Sequence, residues 1–187
     1  ERQGPYFLLL PKNFEYIHLP LLEQFLRTVP EGQTCAVEVR HPVFFSGAAE
    51  HKLNEMLHRH HAQRVILDTR GAWQAFHEDP TLQPRRNKKP LLPVRAYATG
   101  KYPFLRLICH PEWSKNKEII DYWAQVVAQW IRDGYTPYVF FHTPHDIEVP
   151  DHARAFHIAL QQHIPLPDLP PTPLQEAGAD VQQLSLL

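Results

Sequence analysis

The strongest constraint on this chain is a fivefold alternation of short apolar runs with stretches whose apolar residues recur at helical spacing. The runs are typical of buried strands and occupy residues 6–10, 34–40, 65–67, 104–108 and 138–142. Helical stripes occupy residues 21–29, 49–57, 119–131 and 153–160. The alternation predicts an α/β protein with parallel strands and right-handed crossovers, which fits either an open doubly wound sheet or a barrel.

Residues 71–103 interrupt this alternation. They combine several prolines and a basic cluster with few periodic apolar positions, and we expect a long irregular excursion there, extended at 94–98. Farther on, Ser114 is the predicted N-cap of the longest helix and Gly134 ends that helix.

Charge and composition exclude several classes of protein. The 187 residues carry 19 basic and 20 acidic side chains, so the chain is neither uniformly basic nor strongly acidic. Two cysteines cannot build a disulfide framework. No apolar run reaches the roughly 18 residues of a membrane span. We therefore expect a cytoplasmic protein that does not cross a membrane.

Charged residues lie inside the predicted strands. Glu38, Arg40 and Arg106 point to the face opposite their apolar neighbours. Asp68 and Arg70 instead share a face with Ile66, and His142 shares one with Tyr138 and Phe140. An open sheet covered on both sides has no place for them, whereas the lumen of a barrel does, near the carboxyl ends of its strands. Buried charges require partners, so these side chains form either a structural ion-pair network or a ligand site. The positions are Glu38, Arg40, Asp68, Arg70, Arg106 and His142.

Five segments occur in an order that resembles the YecE-like family, known as domain of unknown function 72. The segments are residues 37–42 (VEVRHP) with Phe44 and Phe45, 66–70 (ILDTR), 105–107 (LRL), Asn116, and 138–144 (YVFFHTP). The resemblance extends to about residue 163. It implies a TIM-barrel-like fold related to the xylose-isomerase-like barrels, a group that includes apurinic endonucleases, and it implies no established activity.

The resemblance also implies that this chain is partial. The family's Gly-Thr-Ser-Gly-Trp-like strand and Asn-Thr-Phe-Tyr-like segment have no counterpart here. We therefore expect residues 1–163 to form the last five βα units of an eight-unit TIM-barrel-like fold. Residues 164–187, which begin with five prolines in ten positions, are predicted to form a flexible tail.

The residues at the predicted barrel mouth suggest a site for an anion. Guanidinium groups suit phosphate or carboxylate, so Arg40, Arg70 and Arg106 are assigned to ligand binding, together with the motif residues His41 and Asn116. The candidate catalytic residues are Glu38 or Asp68 as general base and His142 as general acid.

The excursion adds a basic surface. Residues 70–106 contain eight basic and two acidic side chains, interleaved with aromatic ones, a pattern that suits phosphate contacts and base stacking. The alternative is a solvated loop whose aromatic side chains pack on the barrel. The candidate nucleic-acid-binding residues are Arg85, Arg86, Lys88 and Lys89.

Candidate metal ligands are also present, although no spacing among them is diagnostic. They are His41, His110 and His142 with Glu38 and Asp68 near them, and in addition His145 and Asp146. The nearby arginines would repel a cation, so a divalent metal is not favoured and the cofactor stays unassigned.

The last five residues resemble the peptide by which bacterial replication and repair proteins dock on the DNA sliding clamp. The candidate partner-binding residues are Gln183, Leu184, Leu186 and Leu187, with Leu187 at a position where that peptide usually has Phe. An apolar tail folded back onto its own barrel is the alternative.

Three functional hypotheses follow. The leading one is a barrel that binds a phosphate-bearing ligand, with nucleic acid as a candidate ligand and hydrolysis as a candidate reaction. The second is a non-catalytic binding module recruited to the sliding clamp through the C-terminal peptide. The third is a sugar-isomerase-like or sugar-phosphate enzyme, so that any catalysis would be that of a hydrolase or an isomerase.

Overall fold

The computed structural model describes residues 4–86 and 89–171, in which five strands alternate with helices. The strands are β1 Tyr6–Leu9, β2 Cys35–Glu38, β3 Gln63–Asp68, β4 Phe104–Ile108 and β5 Tyr138–His142. The helices are α1 Leu19–Leu26, α2 Gly47–Arg59, α3 Arg70–Glu78, α4 Gln83–Arg86, α5 Lys117–Arg132 and α6 Val149–Gln161, with 3-10 turns at Tyr16–His18, Pro42–Phe45, Pro80–Leu82 and Trp113–Asn116.

All the strands are parallel and pair in the order β1-β2-β3-β4-β5, which confirms the predicted α/β class. The sheet curls into a half-barrel. In a flat sheet, strands about 4.8 Å apart would separate β1 from β4 by about 14 Å. The rings of Phe7 and Phe104 instead stack with their centroids 5.6 Å apart, because the curl turns both side chains toward one axis.

The two faces of the sheet have different surroundings. Val37 and Val39 pack in a core with α1 and α2, while Ile66, Leu105 and Leu107 pack against α5 and α6. The alternate residues point to the concave face, where a small cluster joins Ala36, Val65 and Phe104, with Tyr138 against it. The alternation thus places Phe104 and Arg106 on the concave face.

The predicted irregular excursion is wrong for its first part, because residues 70–86 are mainly helical. In α3 the side chains of Ala72, Ala75 and Phe76 recur at helical spacing and pack against Leu67 and Ile108. Two alanines make this stripe inconspicuous in the sequence. Residues 89–103 are without helix or strand, so the expected extended segment at 94–98 does not become a strand.

The predicted N-cap of the longest helix is also wrong. Ser114 lies inside the 3-10 turn Trp113–Asn116, where its hydroxyl donates to Glu112 Oε1, and Asn116 is the residue that precedes α5.

The start of the proline-rich tail lies against α6. The side chains of Ile164 and Leu166 pack on the core formed by α5 and α6, and Arg154 donates to the carbonyl oxygen of Pro170. Packing thus continues past the expected domain boundary at residue 163, and the rest of the predicted tail lies outside the described residues.

Within the described ranges, every helix is too short or too polar to cross a membrane.

Candidate functional site

A cavity of about 450 Å³ lies at the carboxyl end of the sheet, and we refer to it as the mouth. Three cationic side chains line it together with an imidazole and a carboxylate. Its lining residues are Arg40, Ala72, Phe76, Arg85, Lys89, Ile108, His142, Pro144 and Asp146. The mouth therefore combines an apolar wall with an excess of positive charge.

A buried carboxylate anchors two arginines beside the mouth. Glu38 is fully buried at the end of β2, and its Oε1 accepts a hydrogen bond from Arg40 Nε at 2.8 Å. Its other oxygen accepts a short hydrogen bond from Arg106 Nη1 on β4. Sequence alternation predicted that these three residues meet, and they do. Because both oxygens of Glu38 are engaged by guanidinium groups, its geometry favours holding the arginines over the general-base role.

Lys89 completes the cationic cluster. Its pKa is lowered by partial burial and by the positive charges of Arg106 and Arg40, while Asp146 and Glu38 oppose that effect. Cations that repel one another around a shared cavity are stabilised when an anion binds among them. The electrostatics of the mouth thus favour an anionic ligand.

A histidine and an aspartate pair at the end of β5. Nδ1 of His142 lies 2.5 Å from Oδ1 of Asp146. Burial and the charges of Lys89 and Arg106 lower the pKa of His142, although Asp146 raises it. Asp146 has a φ of 60°, and its backbone N–H donates to the hydroxyl of buried Thr143. This turn fixes the carboxylate that orients the imidazole.

Asp68 and Arg70, which we expected at the same mouth, lie on the helix side of the sheet. Asp68 is buried, and its Oδ2 accepts from Trp123 Nε1 on α5 at 2.8 Å. Arg70 donates to the same oxygen at 2.6 Å, lies over the ring of Tyr122, and has its pKa raised by the bond to Asp68. The alternation of β3 explains this, because Asp68 shares a face with Ile66, which packs under α5.

Asn116 forms a structural clamp. It is fully buried; its Oδ1 accepts from the backbone N–H of His110, and its Nδ2 donates to the carbonyl oxygens of His110 and Glu112. Three hydrogen bonds satisfy most of the amide, so Asn116 contributes to the loop after β4 and not to the ligand cavity.

His41 also has a local structural contact. Its Nδ1 accepts from the backbone N–H of Val43, which caps the turn Pro42–Phe45, and its Nε2 lies 4.0 Å from Glu15 Oε1.

The predicted basic surface lies partly on α4, beside the mouth. Arg85 and Arg86 are exposed, and the guanidinium of Arg86 lies 4.5 Å from the ring centroid of Trp73. Lys89 reaches the mouth, whereas Lys88 lies outside the described residues. The predicted clamp-binding residues also lie outside them: Gln183, Leu184, Leu186 and Leu187.

The candidate metal ligands do not form a cluster in the described part of the chain. His110 Nε2 lies 3.2 Å from Glu78 Oε2, and Glu78 also binds Lys115. Within residues 4–86 and 89–171, no three His, Cys, Asp or Glu side chains lie close enough to hold a metal ion.

Sequence reasoning did not identify the buried Arg64, which stabilises the turn next to the mouth residue Arg40. This residue is 2% exposed and donates to the carbonyl oxygen of Phe44 at 2.7 Å and to Asn54 Oδ1 at 2.8 Å. Burial lowers its pKa to about 10. Its hydrogen bonds hold the turn Pro42–Phe45, which directly follows Arg40 and His41. The available signal in the sequence was an arginine directly before the apolar run of residues 65–67.

A second feature missed in the sequence is a row of three phenylalanines on the concave face, which we name the aromatic row. Phe104 stacks between Phe7, at 5.6 Å and 7°, and Phe140, at 4.6 Å and 18°. The available signal was alternation, because Phe104 shares a face with Arg106 and Phe140 shares one with His142.

The aromatic row borders a second cavity of about 450 Å³, on the same face of the sheet as the mouth. Its lining residues are Gly4, Pro5, Phe7, Phe104, Arg106, Tyr138, Phe140, Phe141 and His142. Because His142 lines both cavities, the mouth and the aromatic row are neighbouring parts of one concave surface.

Comparison with known proteins supports the resemblance found in the sequence. The chain is 37% identical over 165 residues to the UPF0759 protein YecE of Escherichia coli K12 and 36% identical to that of Escherichia coli O157:H7. These alignments cover 88% of this chain and 60% of each relative. The chain therefore spans about three fifths of the length of the curated relatives it matches.

Solved structures agree at the level of the fold. Two crystal structures of a DUF72 family protein from Enterococcus faecalis V583 match with TM-scores of 0.62 and 0.56 at 13% and 12% identity. The matches cover 87% and 90% of this chain and 61% and 62% of the solved chains. A family model described as a protein of unknown function, DUF72, matches residues 1–176. The predicted family is thus confirmed, and the chain belongs to the DUF72 family.

Proposed function

We propose that this chain binds a phosphate-bearing ligand in the mouth at the carboxyl end of its sheet. The observation that carries the proposal is the convergence of Arg40, Arg85 and Lys89 on one cavity, with Arg106 close enough to lower the pKa of Lys89. Guanidinium and ammonium groups are the side chains that recognise phosphate most strongly.

Charge around the mouth supports an anionic ligand. Four cations, Arg40, Arg85, Lys89 and Arg106, face two carboxylates, Glu38 and Asp146, which leaves an excess of two positive charges. Glu38 is engaged by two arginines and Asp146 by His142. A phosphate group would neutralise the remaining charge and accept several hydrogen bonds at once.

We also propose that the half-barrel is the five-unit C-terminal arc of an eight-unit TIM-barrel-like fold. The strand order, the curl and the polar residues at the carboxyl ends of β2 and β5 support this assignment. Ligand sites of (βα)8 barrels lie at that end of the strands, which is the end occupied by the mouth.

Single-stranded nucleic acid is a second candidate ligand. It is favoured by the exposed Arg85 and Arg86 on α4, since Arg86 is stacked on Trp73 next to the mouth. Such a surface would extend phosphate contacts beyond the cavity along a strand.

The test is calorimetric titration with pyrophosphate and ribose 5-phosphate at low ionic strength. We expect binding that weakens with added salt, and a roughly tenfold loss of affinity in Lys89→Gln because a charge-assisted hydrogen bond is removed. Lys52→Gln, at an exposed position on α2, is the matched control and should bind as the wild type does. A single-stranded oligothymidylate whose binding weakens in Arg86→Gln would support the nucleic-acid candidate.

Two results would contradict the proposal. One is no detectable binding of either anion at low ionic strength by the folded protein. The other is an equal loss of affinity in Lys89→Gln and Lys52→Gln, because that result would show a diffuse attraction of anions to the surface rather than binding in the mouth.

A further inference from the structure

The connection between β3 and β4 begins with residues 70–86, which contain α3 and α4 and which we name the arch. Ala72 and Phe76 on α3 and Arg85 on α4 line the mouth. After the arch, the chain returns to the mouth at Lys89, which lines the same cavity. The positions of two cations in the mouth, Arg85 and Lys89, therefore depend on how the arch is closed at its base.

A hydrogen bond between distant residues of the chain closes this base. The hydroxyl of Thr69, the last residue before α3, donates to the carbonyl oxygen of Pro90 at 2.9 Å, across 21 positions of the sequence. Thr69 is only 3% exposed, so little water competes for the bond. Because proline fixes its own φ and restricts the residue before it, a bond at Pro90 also restricts the backbone of Lys89.

The hydroxyl of Thr69 does not serve the helix that follows it. A threonine directly before a helix commonly accepts a hydrogen bond from a backbone N–H of the first turn. Within the described chain, Thr69 makes no such cap on α3. Its own position is fixed by the preceding Asp68, which is buried and accepts from Trp123 on α5. The hydroxyl thus contributes to the closure of the arch and not to the start of α3.

We infer that Thr69 is a positioning residue of the anion site, because its hydroxyl, acting through Pro90, holds Lys89 in the mouth. The inference rests on the proposed function, since Lys89 is one of the cations assigned to the phosphate. In the free protein the positive charges of Arg40 and Arg106 disfavour the ammonium group of Lys89 at this place. A restrained backbone opposes its displacement, and a cation that is already in place raises affinity because the ligand does not have to order it.

The experiment is calorimetric titration of the wild type, Thr69→Val and Thr69→Ser with pyrophosphate at low ionic strength. Valine has nearly the shape of threonine but cannot donate, so we expect an affinity about three- to tenfold lower, a loss no larger than that of Lys89→Gln. Serine retains the hydroxyl and should restore the affinity to within about twofold of the wild type. The matched control is Thr81→Val, which removes an exposed hydroxyl of the same arch that donates to Asp79, and it should bind as the wild type does.

A double variant separates the positioning of Lys89 from a general loosening of the mouth. When Thr69→Val is added to Lys89→Gln, the affinity should fall by less than about a further twofold, because the group that Thr69 positions is already removed. A merely structural role would lower the affinity by the same factor in both backgrounds. Pro90→Gly tests the same link without altering the buried threonine. It should weaken binding in the wild type but not in Lys89→Gln, because glycine releases the restraint on the backbone of Lys89.

The inference is overturned if Thr69→Val, folded as judged by circular dichroism, binds pyrophosphate as tightly as the wild type does, or if it loses the same factor with and without Lys89. Should Thr69→Val not fold, unchanged affinity in Pro90→Gly overturns the inference instead. Those results would leave the proposed phosphate site standing. If the wild type binds neither pyrophosphate nor ribose 5-phosphate, the proposed function fails and the inference fails with it, so the two failures are distinguishable.

Discussion

His142 lies where the mouth meets the aromatic row, and its two ring nitrogens have different surroundings. Nδ1 contacts the Asp146 carboxylate at 2.5 Å, so it carries the proton of the neutral ring and Nε2 is the atom that takes up a second one. Burial and the positive charges of Lys89, Arg106 and Arg85 lower the pKa of this imidazole. A bound anion would counter those charges and raise the pKa.

This linkage predicts that anion affinity depends on pH. We expect sulfate, which keeps the same charge across the range, to bind more tightly as the pH falls below about 6.5, because the bound state takes up a proton on His142. A rise of about three- to tenfold in affinity by pH 5, followed by calorimetry, is the expected result in the wild type.

The pH-dependent rise should be lost in His142→Gln and retained in His51→Gln, which alters an exposed position on α2. If sulfate affinity in His142→Gln rises with acid as steeply as in the wild type, His142 is not the group that titrates.

Individual residues at the site were only partly predictable. Glu38, Arg40 and Arg106 meet as expected, because period-two alternation fixes which side chains share a strand face. Alternation does not tell which face is concave. Asp68 was therefore assigned to the mouth although it binds Trp123 under α5, and that contact depends on tertiary packing.

At the scale of elements, one close contact joins α3 to the loop after β4. A Cβ atom built at Gly71 would lie 2.7 Å from Asn116 Oδ1 and 2.7 Å from the backbone nitrogen of His110. Those atoms belong to the clamp that shapes the start of α5. The helix can approach the loop this closely only because residue 71 is glycine.

The contact predicts that Gly71→Ala destabilises the protein, even though alanine favours helix by about 1 kcal/mol over glycine. Overpacking against buried backbone should outweigh that gain and lower the free energy of unfolding by about 1–3 kcal/mol, as measured by urea denaturation. His77→Ala, at an exposed position of the same helix, should have little effect. An increase in stability in Gly71→Ala would contradict this prediction, because it would show that the loop after β4 can move to accommodate the added methyl group.

The elements themselves were predictable where apolar periodicity was strong. The prediction for β5 matches its bounds, because its apolar run is continuous and flanked by proline. The helix α3 was missed, since alanines carry most of its buried stripe and the adjacent prolines suggested a loop. Packing against Leu67 and Ile108 stabilises this helix, although its own sequence has little apolar periodicity.

At the scale of the whole molecule, the two faces of the sheet are stabilised in different ways. The convex face has two large apolar cores with its helices. The concave face has smaller apolar clusters, and a polar link crosses it: Glu38 on β2 binds Arg106 on β4 over the intervening β3. Sequence reasoning predicted a curved sheet with paired charges inside, but not that one carboxylate would join two strands across the curl.

Glu38→Gln is therefore expected to destabilise the whole half-barrel. The substitution keeps the shape of the side chain but removes the negative charge that both Arg40 and Arg106 contact. Loss of one partner from such a buried pair lowers the free energy of unfolding by about 3 kcal/mol, to be measured by urea denaturation. The matched control is Glu23→Gln, since Glu23 accepts from Arg27 and Arg59 at the surface, where water screens the charges and little stability is lost.

The same variant separates stability from ligand binding. With one of the two carboxylates near the mouth neutralised, the fraction of Glu38→Gln that stays folded should bind pyrophosphate more tightly than the wild type does, because two arginines lose their internal anion. Lower stability together with tighter pyrophosphate binding would mean that Glu38 neutralises part of the positive charge of the anion site in the free protein. Unchanged stability together with unchanged affinity would show that the pair neither holds the curl nor competes with the ligand.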